Sequence, residues 1–426
     1  MESINQDELQ PDIAAKEKEV GGAVEGETDG HVGWQVTLYT IWIALILTML
    51  GFSFVMPFIP FYIKQLGVTD PRSLPIWSGL MITGSGVSMS LAAPLWGWLA
   101  DRRGRKPMVL RAMFGGSVVL ALMGSVKNVG QLFGLRVLQG AITGTVSAST
   151  ALVSSVVPKS KMGYSLGLLQ MAVYGGSSVG PLLGGIMAEH LGYRIPFVIT
   201  GVMLFLAGML VLFGAKERFT KSSPEENTRA GSLREVLYQP GVIAMLVMYL
   251  MLNLSGSFVS PIFPLFVEKL TASHGQAASQ TGLILAIAGL SAAVSSILVG
   301  RICDRYGHKR VLIACTALTG VMCMPQAIAQ NVGQLLVIRA VYGFFAGGMS
   351  PAINAMLTTI VPREKIGRAY GLTTTASAIG WTIGPAIGGW AASLFGYQFP
   401  FFMMGGMMIT LAAAAKLNMR KAEKSA

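Results

Sequence analysis

Asn128-Val129-Gly130-Gln131-Leu132 recurs letter for letter as Asn331-Val332-Gly333-Gln334-Leu335. The echo continues on both sides. Ser53-Phe54-Val55-Met56-Pro57-Phe58-Ile59-Pro60 returns as Ser257-Phe258-Val259-Ser260-Pro261-Ile262-Phe263-Pro264, and Asp101-Arg102-Arg103-Gly104 as Asp304-Arg305-Tyr306-Gly307. Arg136 and Gly140 have partners at Arg339 and Gly343, and Gly180-Pro181 with Gly184-Gly185 has partners at Gly384-Pro385 with Gly388-Gly389. The offset stays at 203 or 204 residues, so the chain is one unit written twice.

The unit is a membrane unit. Of 426 residues, 52% are hydrophobic and 12% charged, and the mean hydropathy is +0.58; soluble domains carry about 25% charged residues. This leaves too little charge to coat a soluble enzyme of this length, and it excludes disordered and collagen-like chains. The 52 glycines fit membrane helices, where Gly is frequent. The net charge of +12 does not mark a nucleic-acid binder, because the basic residues sit in short clusters between apolar segments. Cys303, Cys315 and Cys323 form no CxxC pair and lie in or beside apolar stretches, so neither a disulfide framework nor a metal site is expected, and no cofactor.

Twelve segments are long enough for a hydrocarbon core of about 30 Å, which takes about 20 helical residues. They are placed at 34–63, 76–100, 107–126, 131–157, 163–190, 192–213, 240–267, 279–302, 310–329, 332–360, 367–393 and 395–417. The alternation of a barrel is absent, so helices are the remaining way to satisfy backbone groups in lipid. The expected class is an all-α polytopic membrane protein of twelve helices in two halves. Six is even, so the halves run parallel, related by an axis along the membrane normal.

Lys and Arg set the orientation. With the N-terminus inside, the outer loops hold only Lys64, Arg72, Lys127, Arg194 and Lys269, while Arg136 and Arg339 fall within spans; the other basic residues face the cytoplasm. Both termini are thus expected inside. The expected parts are a disordered cytoplasmic tail at 1–33, a six-helix bundle at 34–213, a cytoplasmic linker at 214–239, a second bundle at 240–417 and a cytoplasmic tail at 418–426.

An arginine at membrane depth costs about 3 kcal/mol or more on insertion scales and should face the bundle interior or water. On the fourth span Arg136, Gln139, Thr143, Ser147, Thr150 and Ser154 recur at spacings of three and four, a polar stripe on one face. Arg339, Tyr342, Ser350, Asn354 and Thr358 form a similar stripe on the tenth, and Tyr249, Asn253, Ser257 and Ser260 on the seventh. A stripe of this kind facing lipid is unfavourable, so these faces are expected to line a central cavity. Tyr174, Tyr249 and Trp381 are the aromatic candidates for that cavity, because each lies among polar or small residues.

Four motifs, in order and on the right segments, make the chain resemble the major facilitator superfamily, in its twelve-helix drug:proton antiporter branch. They are Leu50-Gly51-x5-Pro57-x2-Pro60, the loop Gly97-Trp98-Leu99-Ala100-Asp101-Arg102-Arg103-Gly104-Arg105-Lys106, Arg136-x2-Gln139-Gly140, and Gly167-x8-Gly176-x3-Gly180-Pro181-x2-Gly184-Gly185. The first span and the loop are most similar to bacterial multidrug-resistance proteins of the MdtG type. The resemblance covers Trp34 to about Met419. It implies the major facilitator fold, alternating access to a cavity between the halves, a functional monomer in the cell membrane, a small-molecule substrate and proton antiport. It also implies a gating latch in Gly97, Asp101, Arg102, Gly104, Arg105 and Lys106 with its echo in Asp304, Arg305 and Gly307, and an antiporter motif in Gly167, Gly176, Gly180, Pro181, Gly184 and Gly185. A purely structural role for those glycines, close helix packing, stands beside the coupling role.

The acidic residues depart from that pattern. None lies near the middle of a span; Glu189 and Glu268 at the outer ends and Asp101 at the inner end are the remaining proton carriers. Without a buried acid, strong selectivity for cations is not expected. Two readings follow: an exporter of small amphipathic drugs or metabolites, or a facilitator or importer of a neutral or anionic nutrient held by Arg136. An enzyme is disfavoured, since no nucleophile–base pair, metal cluster or nucleotide loop is visible. A non-transporting receptor would need a soluble domain that these loops do not supply.

Overall fold

The computed structural model describes residues 33–217, 242–271, 275–349, 352–353, 356–357 and 366–425. The N-terminal tail expected at 1–33, apart from Gly33, and nearly all of the expected linker lie outside these residues.

The first half contains α1 (Gly33–Phe54), α2 (Ile59–Gln65), α3 (Ser73–Arg103), α4 (Lys106–Met123), α5 (Val129–Ile142), α6 (Thr145–Val156), α7 (Met162–Leu191) and α8 (Ile195–Gly214). The second contains α9 (Val242–Ser257), α10 (Phe263–Leu270), α11 (Ala277–Tyr306), α12 (His308–Ala327), α13 (Val332–Gly347), α14 (Ile366–Phe395) and α15 (Phe399–Ser425). No strand occurs among the described residues.

The repeated pentapeptide is a helix start. Asn128 accepts a hydrogen bond from Gln131 N at 2.9 Å, while the Gln131 side chain accepts from Lys127 N at 2.8 Å. Asn331 and Gln334 do the same, the latter with Gln330 N. This reciprocal capping satisfies donors that a helix leaves open at its first turn.

Three expected spans are not single helices. The first breaks between α1 and α2, and the seventh between α9 and α10, because Pro57 and Pro261 lack the N–H that continues a helix and crowd the preceding turn. The fourth breaks at Thr143-Gly144, where Gly144 takes φ +113, a left-handed conformation that side-chain-bearing residues avoid. The last helix runs on to Ser425, past the boundary placed at 417.

Among the described residues, seven helices are long and apolar enough to cross a membrane by length and composition: Gly33–Phe54, Ser73–Arg103, Lys106–Met123, Ile195–Gly214, Ala277–Cys303, His308–Ala327 and Phe399–Leu417. The other spans are broken in two, extend beyond the described residues, or are diluted by Gly and hydroxyl residues, as α7 and α14 are. Large apolar side chains such as Phe205, Leu206, Phe213, Trp390 and Phe395 stand exposed around the bundle, as a lipid-facing surface requires.

The two halves meet along α7 with α11 and along α3 with α14. The contacts are duplicated. A methyl group on Gly86 would stand 2.6 Å from the Thr382 hydroxyl, and one on Gly289 would stand 2.6 Å from the Ser178 hydroxyl. Gly79 abuts the Pro385 carbonyl as Gly282 abuts that of Pro181, and Gly389 abuts Pro75 as Gly185 abuts Ala278. Each pair of contacts is related by the sequence repeat. All lie toward the turns that follow α2 and α10. Beyond them the halves diverge: Leu91, Leu95 and Trp98 on α3 and Leu290, Val294 and Ile297 on α11 are exposed, and methyl groups on Gly97, Gly167, Gly300 and Gly371 would meet nothing within 4 Å. Among the described residues the bundle is closed at the α2/α10 end and open at the end carrying the 97–106 loop.

Candidate functional site: a cavity between the halves

A cavity of about 940 Å³ opens between α1, α3, α5 and α6 on one side and α14 on the other. Small-molecule sites commonly enclose roughly 300–1,000 Å³. Met49, Phe52, Met89 and Trp381 supply apolar wall, and the polar lining is concentrated on α5 and α6. Among the expected cavity residues, Arg136, Gln139, Thr143, Ser147 and Trp381 line it. Tyr174, Tyr249, Asn253 and Arg339 are not among its lining residues, and Asn354 lies outside the described residues.

The fourth-span stripe keeps its phase across the break, so Thr150 also faces the cavity. Most of its hydroxyls are spent on their own helix. Thr143 Oγ1 donates to Gln139 O at 2.8 Å, Ser147 Oγ to Gly144 O at 2.9 Å, and Thr150 Oγ1 to Val146 O at 2.8 Å. Such bonds leave acceptor lone pairs toward the cavity and few donors. Two buried donors have no described partner. Arg136 Nη1 donates to Gln139 Oε1 at 3.0 Å, but its Nε is buried with no described partner, as is Thr145 Oγ1. Among the described residues no Asp, Glu, Lys or His lines the cavity. Among the described residues the site therefore offers a half-buried cation, free polar donors and an apolar wall, and no carboxylate to hold a cationic ligand.

The seventh-span stripe serves another purpose. Asn253 Oδ1 accepts from Ser377 Oγ at 2.9 Å, and Ser257 Oγ donates to Gly380 O at 3.1 Å. It joins α9 to α14 inside the second half. Arg339 is also occupied: Nη1 donates to Gln326 Oε1 at 2.8 Å, and the guanidinium lies 4.6 Å and 4.5 Å from the Phe263 and Tyr342 ring centres. Helical spacing marks a face, but it does not say which neighbour that face meets.

The 97–106 loop turns at Gly104, with φ +95. Arg105 N and Lys106 N donate to the Glu217 carboxylate, each at 2.8 Å, while Lys106 Nζ donates to Leu212 O and Ala215 O at the end of α8. An anion thus sits at the start of α4 and a cation at the end of α8, the arrangement both helix dipoles favour. Arg105 Nη1 reaches Ala151 O on α6, and the Arg102 guanidinium lies 4.0 Å from the Trp98 ring centre. Asp101 is exposed and makes no hydrogen bond or ion pair with another described residue in this open-ended conformation. The side chain of Asp304 lies outside the described residues; Arg305 lies beside Tyr306, and Gly307 repeats the turn with φ +88.

In the glycine motif, Gly176, Gly180 and Gly184 pack on α1, and a methyl group on Gly176 would stand 2.7 Å from Met49 Cβ. Gly185 faces α11 across the half boundary, Pro181 supplies the carbonyl beside Gly282, and Gly167 meets nothing within 4 Å. Sequence reasoning missed the pair that braces the fourth-span break. Trp96 Nε1 donates to Ala141 O at 2.6 Å and Arg111 Nη2 to Thr143 O at 3.3 Å, with the Arg111 guanidinium 3.6 Å from the Trp96 ring centre. The break frees these carbonyls, and the pair satisfies them. Arg111, the fifth residue of the expected span 107–126, carries the signal, although it reads equally as a helix-end charge.

A sequence model of the Major Facilitator Superfamily matches residues 41–270 and again 245–425, once per half. The chain belongs to the major facilitator superfamily. Curated relatives include Multidrug resistance protein MdtG of Klebsiella pneumoniae (strain 342), 32% identical over 394 residues covering 92% of this chain and 96% of the relative. The MdtG protein of Rahnella sp. (strain Y9602) is 33% identical, covering 87% and 90%. Among solved structures, nucleoside transporter NupG superposes with TM-score 0.72 at 12% identity, covering 89% of this chain and 98% of that one. A bacterial homolog of the human lysosomal transporter Spinster superposes with TM-score 0.73 at 14% identity, covering 90% and 96%. These two share the fold. This superfamily member is thus a multi-pass membrane protein and a secondary transporter.

Proposed function

We propose that the chain exports small amphipathic drugs or metabolites from the cytoplasm by alternating access coupled to proton antiport. The observation that carries this reading is the cavity of about 940 Å³ open at one end, in a chain whose relatives named MdtG are multidrug resistance proteins. The six-helix bundles at 34–213 and 240–417 act as the rocking bodies of a monomer in the cell membrane. Both termini and the 97–106 loop face the cytoplasm, so the described conformation is inward-open. The lining, with the Arg136 guanidinium and no carboxylate among the described residues, favours neutral and anionic substrates over cations. The loop residues around Asp101 and Asp304 form the cytoplasmic latch of the opposite, outward-open state, which explains why Asp101 is unpaired here. The glycines from Gly167 to Gly185 keep α7 close to α1 and α11 through both states.

The same Arg136 supports a second reading, uptake or facilitated passage of an anionic nutrient. Everted membrane vesicles separate the two. Export predicts drug accumulation in vesicles when a proton gradient is imposed, abolished by collapsing it. Accumulation indifferent to the gradient would favour the facilitator.

A further inference from the structure

We propose that Lys64 and Glu268 form an axial latch that holds the outer end of the transporter shut and sets its preference for the inward-open state. Lys64 Nζ donates to Glu268 Oε2 at 2.5 Å, the one ion pair among the described residues. It joins the two halves, from α2 to α10. The two positions are also equivalents in the internal repeat. Ile59-Pro60-Phe61-Tyr62-Ile63-Lys64 aligns with Phe263-Pro264-Leu265-Phe266-Val267-Glu268 without a gap. Residues related by a two-fold axis touch only where both lie next to that axis. The pair therefore stands beside the pseudo-two-fold axis that relates the halves, at the closed end, where rocking must pull its two members apart. Duplication alone would put like residues there; this chain carries opposite charges.

The surroundings favour closure over chance contact. Phe58, Ile59, Phe61, Tyr62 and Ile63 beneath Lys64, and Phe263, Leu265, Phe266 and Val267 beneath Glu268, are buried. Tyr193, in the turn after α7, and Tyr397, in the turn after α14, both feel the Glu268 charge; burial first, and that charge second, raise their phenol pKa values. A second tie lies nearby: the Glu189 carboxylate on α7 accepts from Ser279 N at 2.8 Å in the first turn of α11, an anion at a helix start across the half boundary. The repeat places Ser393 opposite Glu189, so this tie exists once and the axial pair is the symmetric one. Both must break before the outer end can open, and neither involves the cavity lining.

The latch acts through conformational balance, so it is read by distance rather than by transport. Spin labels at Thr69→Cys and Gln276→Cys, on exposed outer turns of the two halves, report the opening by pulsed electron resonance in lipid nanodiscs; the native cysteines are buried. Lys64→Glu and Glu268→Lys are each expected to raise the long-distance, outward-open population about fivefold or more, an exposed ion pair alone being worth less than that. The exchanged double variant, Lys64→Glu with Glu268→Lys, is expected to return it to within about twofold of the wild type. Lys64→Gln and Glu268→Gln, milder in case a reversal misfolds, are expected to shift the balance about threefold. Unchanged distances in the neutral or reversed variants overturn the latch, as does an exchanged variant no closer to wild type than its parents. No drug or gradient enters the measurement, so its result is separable from that of the export reading.

Discussion

Gly86 and Thr382 approach so closely across the half boundary that a methyl group on Gly86 would stand 2.6 Å from the Thr382 hydroxyl oxygen. Both also line the cavity, so its ceiling and the seal above it share residues. Gly86→Val forces the seal apart at an overpacking cost of about 1–3 kcal/mol. The outward-open population is expected to rise tenfold or more, with Gly289→Val at the equivalent Ser178 contact acting in the same direction. Distance measurements between the outer turns check both; a wild-type distribution in Gly86→Val contradicts the packing described.

Arg136 is the cavity's charge. Arg136→Ala is expected to weaken binding of an anionic amphipath by about tenfold to a hundredfold, the worth of a charge-assisted hydrogen bond in a partly dry site. Binding of a neutral drug should change by less than about threefold. Isothermal titration with one ligand of each kind checks the split. Equal losses for both would mean that Arg136 shapes the cavity instead of reading its ligand.

The Trp96–Arg111 brace predicts a loss of stability. Arg111→Ala leaves the Thr143 carbonyl without its partner and removes the ring stacking, at a cost of about 1–3 kcal/mol. Trp96→Phe keeps a ring but leaves Ala141 O unpaired, at a smaller cost. Thermal unfolding in detergent should rank wild type above Trp96→Phe above Arg111→Ala.

The repeat made most of this fold legible. Identical residues such as Asn128 and Asn331 cap equivalent helices, and Gly180 and Gly384 meet equivalent neighbours, so a reading of one half transferred to the other. The fourth-span stripe was legible because spacing of three and four survives the two-residue break at Thr143-Gly144. Spacing could not say that Asn253 faces Ser377 within its own half, nor that Arg339 is taken up by Gln326, because partner choice depends on how helices are set against each other. Glu217 was legible only as a linker charge; its role as a cap on α4 requires α8 to end beside it.

Asp101 makes a contrasting prediction. It has no described partner in this conformation, so Asp101→Asn should change thermal stability by less than about 0.5 kcal/mol, as exposed substitutions do. Export should still fall by about tenfold in everted vesicles, because the outward-open state loses its cytoplasmic latch. Full transport by Asp101→Asn would remove the loop's proposed gating role.

A single cysteine in place of Ser147, which is exposed in the cavity, tests alternating access most directly. The membrane-impermeant maleimide should label it readily from the cytoplasmic side, slowly from the outside, and faster from the outside when Glu268→Lys is added, with cytoplasmic labelling falling in step. Labelling from one side alone in every variant and condition would contradict a cavity opened in turn to each face of the membrane.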